Sequence, residues 1–142
     1  MRAELYRGLG DSRSARVYFE SARATLTDSA AAHPNDPSIQ SALGMAYAGL
    51  GRKREAVQHA ERAMQLVPVS GNSMGATAFM GLAVEVFARV GELDRAFEMI
   101  ELMLTMPSGR EISLAFLRVW PGFDPLRGDP RFTKLLERFT IK

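Results

Sequence analysis

Cysteine is absent from this 142-residue chain. Disulfides, thiolate metal sites and cysteine nucleophiles are therefore excluded together, and a reducing compartment is the natural setting. Histidine is scarce: His33 and His59 stand far apart with no acidic cluster at ligand spacing, which leaves no metal site in the sequence. A charge excess of one sign is missing too. The formal net charge of +2 is too small to draw a polyanion, even at a pI of about 9.3. No segment is a basic arm, since residues 1–36 carry five charges of each sign and residues 76–110 carry three basic against five acidic. The longest apolar-rich run, Ala76 to Val90, is broken by Glu85 and Arg89, and the opening MRAELYRGLG lacks the apolar centre of a secretory leader. The reading is a cytoplasmic chain that does not enter a membrane. Gly8-Leu9-Gly10-Asp11-Ser12 has neither the third glycine nor the lysine of a phosphate loop, and no strand-to-helix nucleophile elbow is present. Neither a cofactor nor an enzyme activity is expected.

What is present is helical and punctuated. With 46% hydrophobic and 24% charged residues the composition is ordinary for one globular domain. The chain is organised around Pro37 to Ser70. Leu43, Gly44 and Tyr47 share one face of a first helix, Gly51 breaks it, and Ala56, Ala60 and Ala63 recur at helical spacing along a second helix that runs out at Pro68. The pattern returns at an offset of 40: Phe87 stands for Tyr47, Gly91 for Gly51, Ala96 for Ala56 and Ile100 for Ala60. There the Leu-Gly pair becomes Ala83-Val84, so the small residue that permits close helix approach shifts to Gly81 or Ala83.

Ahead of the centre, Leu5, Tyr6 and Leu9 lie at helical spacing before Gly10. A longer helix follows, capped by Ser12 or Asp11, with an inward stripe of Ala15, Val17 or Tyr18, Phe19, Ala22, Leu26 and Ala30, ending at His33-Pro34. Matching turns sets Gly10 on Gly51 and Ala15 on Ala56, and makes residues 1–36 a partial first repeat with a long second helix. Residues 37–70 are the central repeat, 76–109 the third, and 110–142 the cap. Val69 to Gly75 reads as a flexible connection, and Gly51-Arg52-Lys53-Arg54 as a solvated bend. In the cap, Ile112, Ala115, Phe116 and Val119 are expected to face inward, while Asp124-Pro125 and Asp129-Pro130 read as cap-plus-proline helix starts and Arg127 and Arg131 as solvated, the alternative being pairs with the acids of the third segment.

The L-G-x-x-Y, Ala and Pro spacing inside a 34-residue unit resembles the tetratricopeptide repeat, with Gln40 in place of the usual Trp. The resemblance implies an all-α, right-handed superhelix of helical hairpins with C-terminal capping helices. It also implies a concave groove lined by the first helix of each hairpin. Mapped onto this chain, the groove positions are Ser38, Ser41, Met45, Ala48 and Gly49 in the second repeat, and Ala78, Gly81, Glu85, Ala88 and Arg89 in the third. The lining is small and neutral apart from Met45, Glu85 and Arg89, without the Lys, Asn and Arg that grip a peptide carboxylate in some members. Together with FDPLRGDPRF, the turns GLGRKREAVQHAERAM and RVGELDRAFEMIELML resemble the C-terminal repeat region of bacterial multidomain signalling proteins, where such a module follows a serine/threonine kinase, an adenylate cyclase or a winged-helix domain. The expected partner is a protein or peptide in that groove, unless the chain's own C-terminal segment fills it. A second copy meeting the stacking face of Leu5, Tyr6 and Leu9 is the other partner reading, that face being the edge of a cut solenoid. A nucleic-acid-binding helical repeat would need a basic stripe, against which Glu85 and the acidic third segment count. A remnant enzyme scaffold is the third alternative.

Overall fold

A computed structural model describes residues 2–67, 74–106 and 112–140. Nine helices occur among them: α1 (Arg2–Gly8), α2 (Ser12–Ala32), α3 (Pro37–Gly49), α4 (Lys53–Leu66), α5 (Met74–Val90), α6 (Leu93–Thr105), α7 (Leu114–Val119), α8 (Asp124–Arg127) and α9 (Pro130–Thr140). The fold is an all-α helical repeat. The expected stop at Pro68, most of the connection before Gly75 and the turn at Pro107-Ser108-Gly109 lie outside the described residues.

Three bends impose the hairpin pattern. Gly10, Gly51 and Gly91 take positive φ of 77°, 72° and 81°, a backbone region that strains any residue bearing a side chain. Each closes the helix before it with the same pair of bonds. Arg52 N–H reaches Tyr47 O at 2.9 Å and Gly51 N–H reaches Ala48 O at 3.1 Å; Asp11 and Glu92 repeat the longer-range bond to Tyr6 and Phe87. The helices that follow start differently. Asp11 caps α2 by accepting from Ser14 N–H at 3.0 Å, and Asp36 caps α3 by accepting from Ser38 N–H at 2.8 Å, with Pro37 in the first turn. No side chain caps α4 or α6.

Packing follows the repeat. α2 lies against α1 and α3, α4 against α3 and α5, and α6 against α5. Ala15, Ala56 and Ala96 hold equivalent buried positions, as do Phe19, Ala60 and Ile100. At Gly44 a Cβ would stand 3.2 Å from Ala60 N, so α3 and α4 approach to backbone contact there. The third hairpin does it otherwise: Gly81 has open space beyond it, and Ala83 and Val84 are the buried pair. One core runs from Ala48 through Phe87, Ile100 and Met103 to Leu117, Phe123 and Leu126. Each large side chain so buried is worth about 1.5–3 kcal/mol. The exposed ion pairs, such as Lys53 with Glu92 at 2.6 Å and Arg138 with Glu101 at 3.0 Å, contribute about 0–1 kcal/mol each and orient rather than hold the stack.

The absent Trp is replaced by a polar device. Gln40 is buried, donates from Nε2 to Pro34 O at 3.0 Å, and meets His59 Nδ1 with its Oε1 at 2.7 Å. His59 also stacks on Tyr47, with ring centroids 5.3 Å apart.

Several expectations are corrected. Val17 is 62% exposed, and Tyr18 takes the inward place by stacking on Tyr6. In α7 it is Leu117 that is fully buried, while Ala115 is exposed and Val119 is 72% exposed. That helix starts at Leu114 under a Ser113 cap, so Ile112, which is buried, lies outside it and does not share its register. Asp124 does not cap α8; it is the helix's first residue and pairs with Arg127. Arg127 is not solvated: it donates to Trp120 O at 2.7 Å and Leu117 O at 3.3 Å. Arg131 stays exposed and takes the paired alternative, meeting Asp94 of the third segment and Asp129 while lying over the Phe97 ring at 4.6 Å. The 51–54 bend is exposed, as expected, and its surface cations pair: Arg52 with Glu55 and Lys53 with Glu92.

Candidate functional site

α2, α3 and α5 converge on an open cavity of about 580 Å³. α3 contributes Ser38, Ser41 and Met45 from the expected lining, and α5 contributes Ala78. The wall is mainly apolar because Phe19 and Leu26 of α2 and Phe79 and Leu82 of α5 complete it. Its polar groups are the Ser38 and Ser41 hydroxyls and the carboxylate of Glu4 at one end.

That carboxylate is already engaged. Arg89 approaches it with two nitrogens, at 2.6 and 3.2 Å, and Arg7 Nε donates to it at 2.9 Å. Burial alone would raise the pKa of Glu4, but the two guanidiniums hold it below the usual carboxylate value. The pair joins α1 to the far end of α5 and closes the cavity there.

The remaining expected positions lie elsewhere. Ala48 is buried in the core. Gly81 and Glu85 face a smaller cavity of about 140 Å³ that they share with Ile112, Phe116 and Phe123 of the C-terminal segment. Over the third hairpin that segment covers the concave side. The Trp120 indole N–H donates to Glu85 Oε1 at 2.7 Å, and Gly122 presses so close that a Cβ there would overlap the same carboxyl group. Burial raises the pKa of Glu85 against the opposing effects of Trp120 and Arg89. The chain's own tail thus takes the third hairpin's share, and the first two hairpins keep theirs open.

Chemically, the open cavity offers contact surface rather than reactive groups. Among the described residues no grouping of His, Asp and Glu could hold a metal ion, and no helix is long and apolar enough to cross a membrane.

Sequence reasoning missed the α2 wall as lining. Phe19, Ala22 and Leu26 carry the inward stripe, yet only Phe19 is buried; Ala22 and Leu26 look into the cavity. The signal for it was the stripe itself, whose Ala22 and Leu26 are only partly buried where α2, α3 and α5 converge.

Neither a search of characterised proteins nor one of solved structures returned a match. A family profile described as tetratricopeptide repeat matches residues 1–68, the span of α1 to α4. The third hairpin lies beyond that match and repeats its bend geometry at Gly91. Tetratricopeptide repeats generally mediate protein–protein interaction, and the match, with the all-α helical-repeat fold, supports a tetratricopeptide-repeat protein.

Proposed function

We propose that this chain is a protein-interaction module whose docking surface is the cavity between α2, α3 and α5. The observation that carries the reading is an open apolar concavity walled by Phe19, Leu26, Met45, Phe79 and Leu82, with its one carboxylate neutralised by Arg89 and Arg7. Exposed apolar surface of that kind marks interaction sites. The tail's resemblance to the C-terminal repeat regions of bacterial signalling proteins supports a role as the partner-binding piece of a cytoplasmic regulator. Selection of a random peptide library on the protein, with Met45→Glu as counter-selection, tests the assignment. Peptides that bind the wild type and lose Met45→Glu are the expected result; if every enriched peptide binds both forms, the groove is not the site.

A second reading concerns the outer face of the first hairpin. Leu5 and Leu9 are 60% and 71% exposed, and Val17 of the adjoining α2 is exposed as well, which favours self-association through the first helix. The protein would then sediment as an oligomer and Leu5→Glu would return it to monomer. A monomer at millimolar concentration with Leu5 intact ends this reading.

A further inference from the structure

Gly81 has no packing reason to be a glycine. Inside a helix glycine is less stable than alanine, and nothing stands within 4 Å of where its Cβ would be, so no neighbour demands it. Gly81 lines the small cavity of about 140 Å³ beneath the C-terminal segment. Met103 and Phe123, almost fully buried, close its inner end. The exposed Ala78 and Leu82 line both this cavity and the larger one, so it opens beside the docking surface while remaining a separate space.

Glu85 stands one turn further along the same face of α5 and also lines the cavity. Its half-buried carboxylate accepts the Trp120 indole N–H on Oε1 at 2.7 Å and has no other hydrogen bond and no ion pair among the described residues. The nearby cations are committed elsewhere: Arg89 gives two nitrogens to Glu4, at 2.6 and 3.2 Å, and Arg7 donates to the same group at 2.9 Å. Burial accordingly outweighs their distant attraction and raises the pKa of Glu85.

A carboxylate in that position favours a charged donor over a neutral one, because charge-assisted hydrogen bonds are about twice as strong. The walls agree. Phe116 and Phe123, edge-on at 5.8 Å, both line the cavity, and aromatic rings attract ammonium groups. Size limits the rest, since a cavity of about 150 Å³ accepts one benzene-sized molecule, or about six non-hydrogen atoms.

We propose that this cavity binds a small primary amine in its ammonium form, the nitrogen donating to Glu85 and a compact apolar body of about five carbons resting against Met103 and Phe123. Such a site stands whether or not a partner occupies the larger cavity.

Trp120 is the only tryptophan in the chain and is bonded to the carboxylate that holds the amine, so its fluorescence and its indole N–H resonance report occupancy. The probe is isoamylamine at neutral pH, with isoamyl alcohol as its uncharged counterpart and ethanolamine as an ammonium without the apolar body. Isoamylamine should shift both signals saturably at millimolar concentration, and the other two should bind at least about tenfold more weakly. Glu85→Gln keeps the shape and an acceptor for Trp120 while removing the charge, and should erase the preference for amine over alcohol. Gly81→Leu fills the cavity from α5 and should abolish the shifts; should that variant not fold, Gly81→Ala, whose methyl has space, should weaken them. No shift at tens of millimolar amine, equal binding of amine and alcohol, or a preference that survives Glu85→Gln overturns the proposal. So does a saturable shift unchanged by filling at Gly81, which would place the amine elsewhere. Acetyl-lysine methylamide carries the same ammonium on a peptide backbone and should bind more weakly than isoamylamine; tighter binding would give the site to a protein's lysine and overturn the assignment to a free amine.

Discussion

The indole of Trp120 donates its N–H to the carboxylate of Glu85 at 2.7 Å, tying the C-terminal segment to the concave face of α5. Around this bond, Phe116 stacks on Trp120 at 5.1 Å and meets Phe123 edge-on at 5.8 Å, and Arg127 holds the Trp120 carbonyl. Trp120→Phe should lower stability by about 1 kcal/mol, because it leaves a half-buried carboxylate short of a donor. Gly122→Ala should cost at least as much by driving a methyl into Glu85, and Glu85→Ala should relieve it. In a denaturant-unfolding cycle of those two changes, a coupling below about 0.3 kcal/mol would refute the contact.

Two glycines should respond in opposite directions to alanine. Gly51 sits at φ 72°, so Gly51→Ala should destabilise by about 1 kcal/mol or more. Gly81 lies inside α5 with nothing within 4 Å of where a Cβ would stand, so Gly81→Ala should stabilise by about 0.5–1 kcal/mol. Thermal melts of the two proteins read the sign directly.

Stability should depend on pH through His59. Burial lowers its pKa below 6.5, a shift that Glu55 opposes, so the native state binds the proton less readily than the unfolded chain. The contribution is intact above pH 6.5 and is lost as pH falls from there through the lowered native value. Glu85 acts in the opposite sense. Its raised pKa makes the native state hold the proton more tightly, so stability from this group grows as pH falls from the raised value to 4.5. His59→Gln should flatten the first slope without touching the second; unfolding free energies measured from about pH 4 to 8 distinguish them.

Core and groove substitutions should separate cleanly. Leu43 is almost fully buried, so Leu43→Ala should cost about 2–5 kcal/mol. Met45 stands two positions along the same helix, partly buried with one side on the core and the other on the cavity, so Met45→Glu should cost less than Leu43→Ala. Equal losses in urea unfolding would place Met45 in the core.

The fold was legible because its punctuation is chemical. Gly10, Gly51 and Gly91 mark where backbone turns left-handed, and Asp11 and Asp36 mark where helices begin, signals that depend on one or two neighbouring residues. The cap was read less well. In α7, a six-residue helix is too short for periodicity to choose a face, and Leu117 rather than Val119 is turned inward by packing on the core. Arg127 and Arg131 have local partners in Asp124 and Asp129, but their further partners, the Leu117 and Trp120 carbonyls and Asp94, are brought to them by tertiary packing. The groove was half visible. Ser38, Ser41, Met45 and Ala78 follow from repeat spacing, whereas Leu26 belongs to a stripe read as inward-facing, and its place on the cavity wall is set by how α2, α3 and α5 converge rather than by any single residue.

The clasp between Glu4 and Arg89 joins residues 85 positions apart, from the first hairpin to the third without passing through the second. Stacked repeats ordinarily touch only their neighbours, so each junction bends independently. Here a two-pronged ion pair spans the hollow and ties the two junctions together. Arg89 keeps only 13% of its side chain exposed, so dissolved ions reach this link less than they reach the open pairs such as Lys53 with Glu92, and it goes on joining the first and third hairpins where those surface pairs fade.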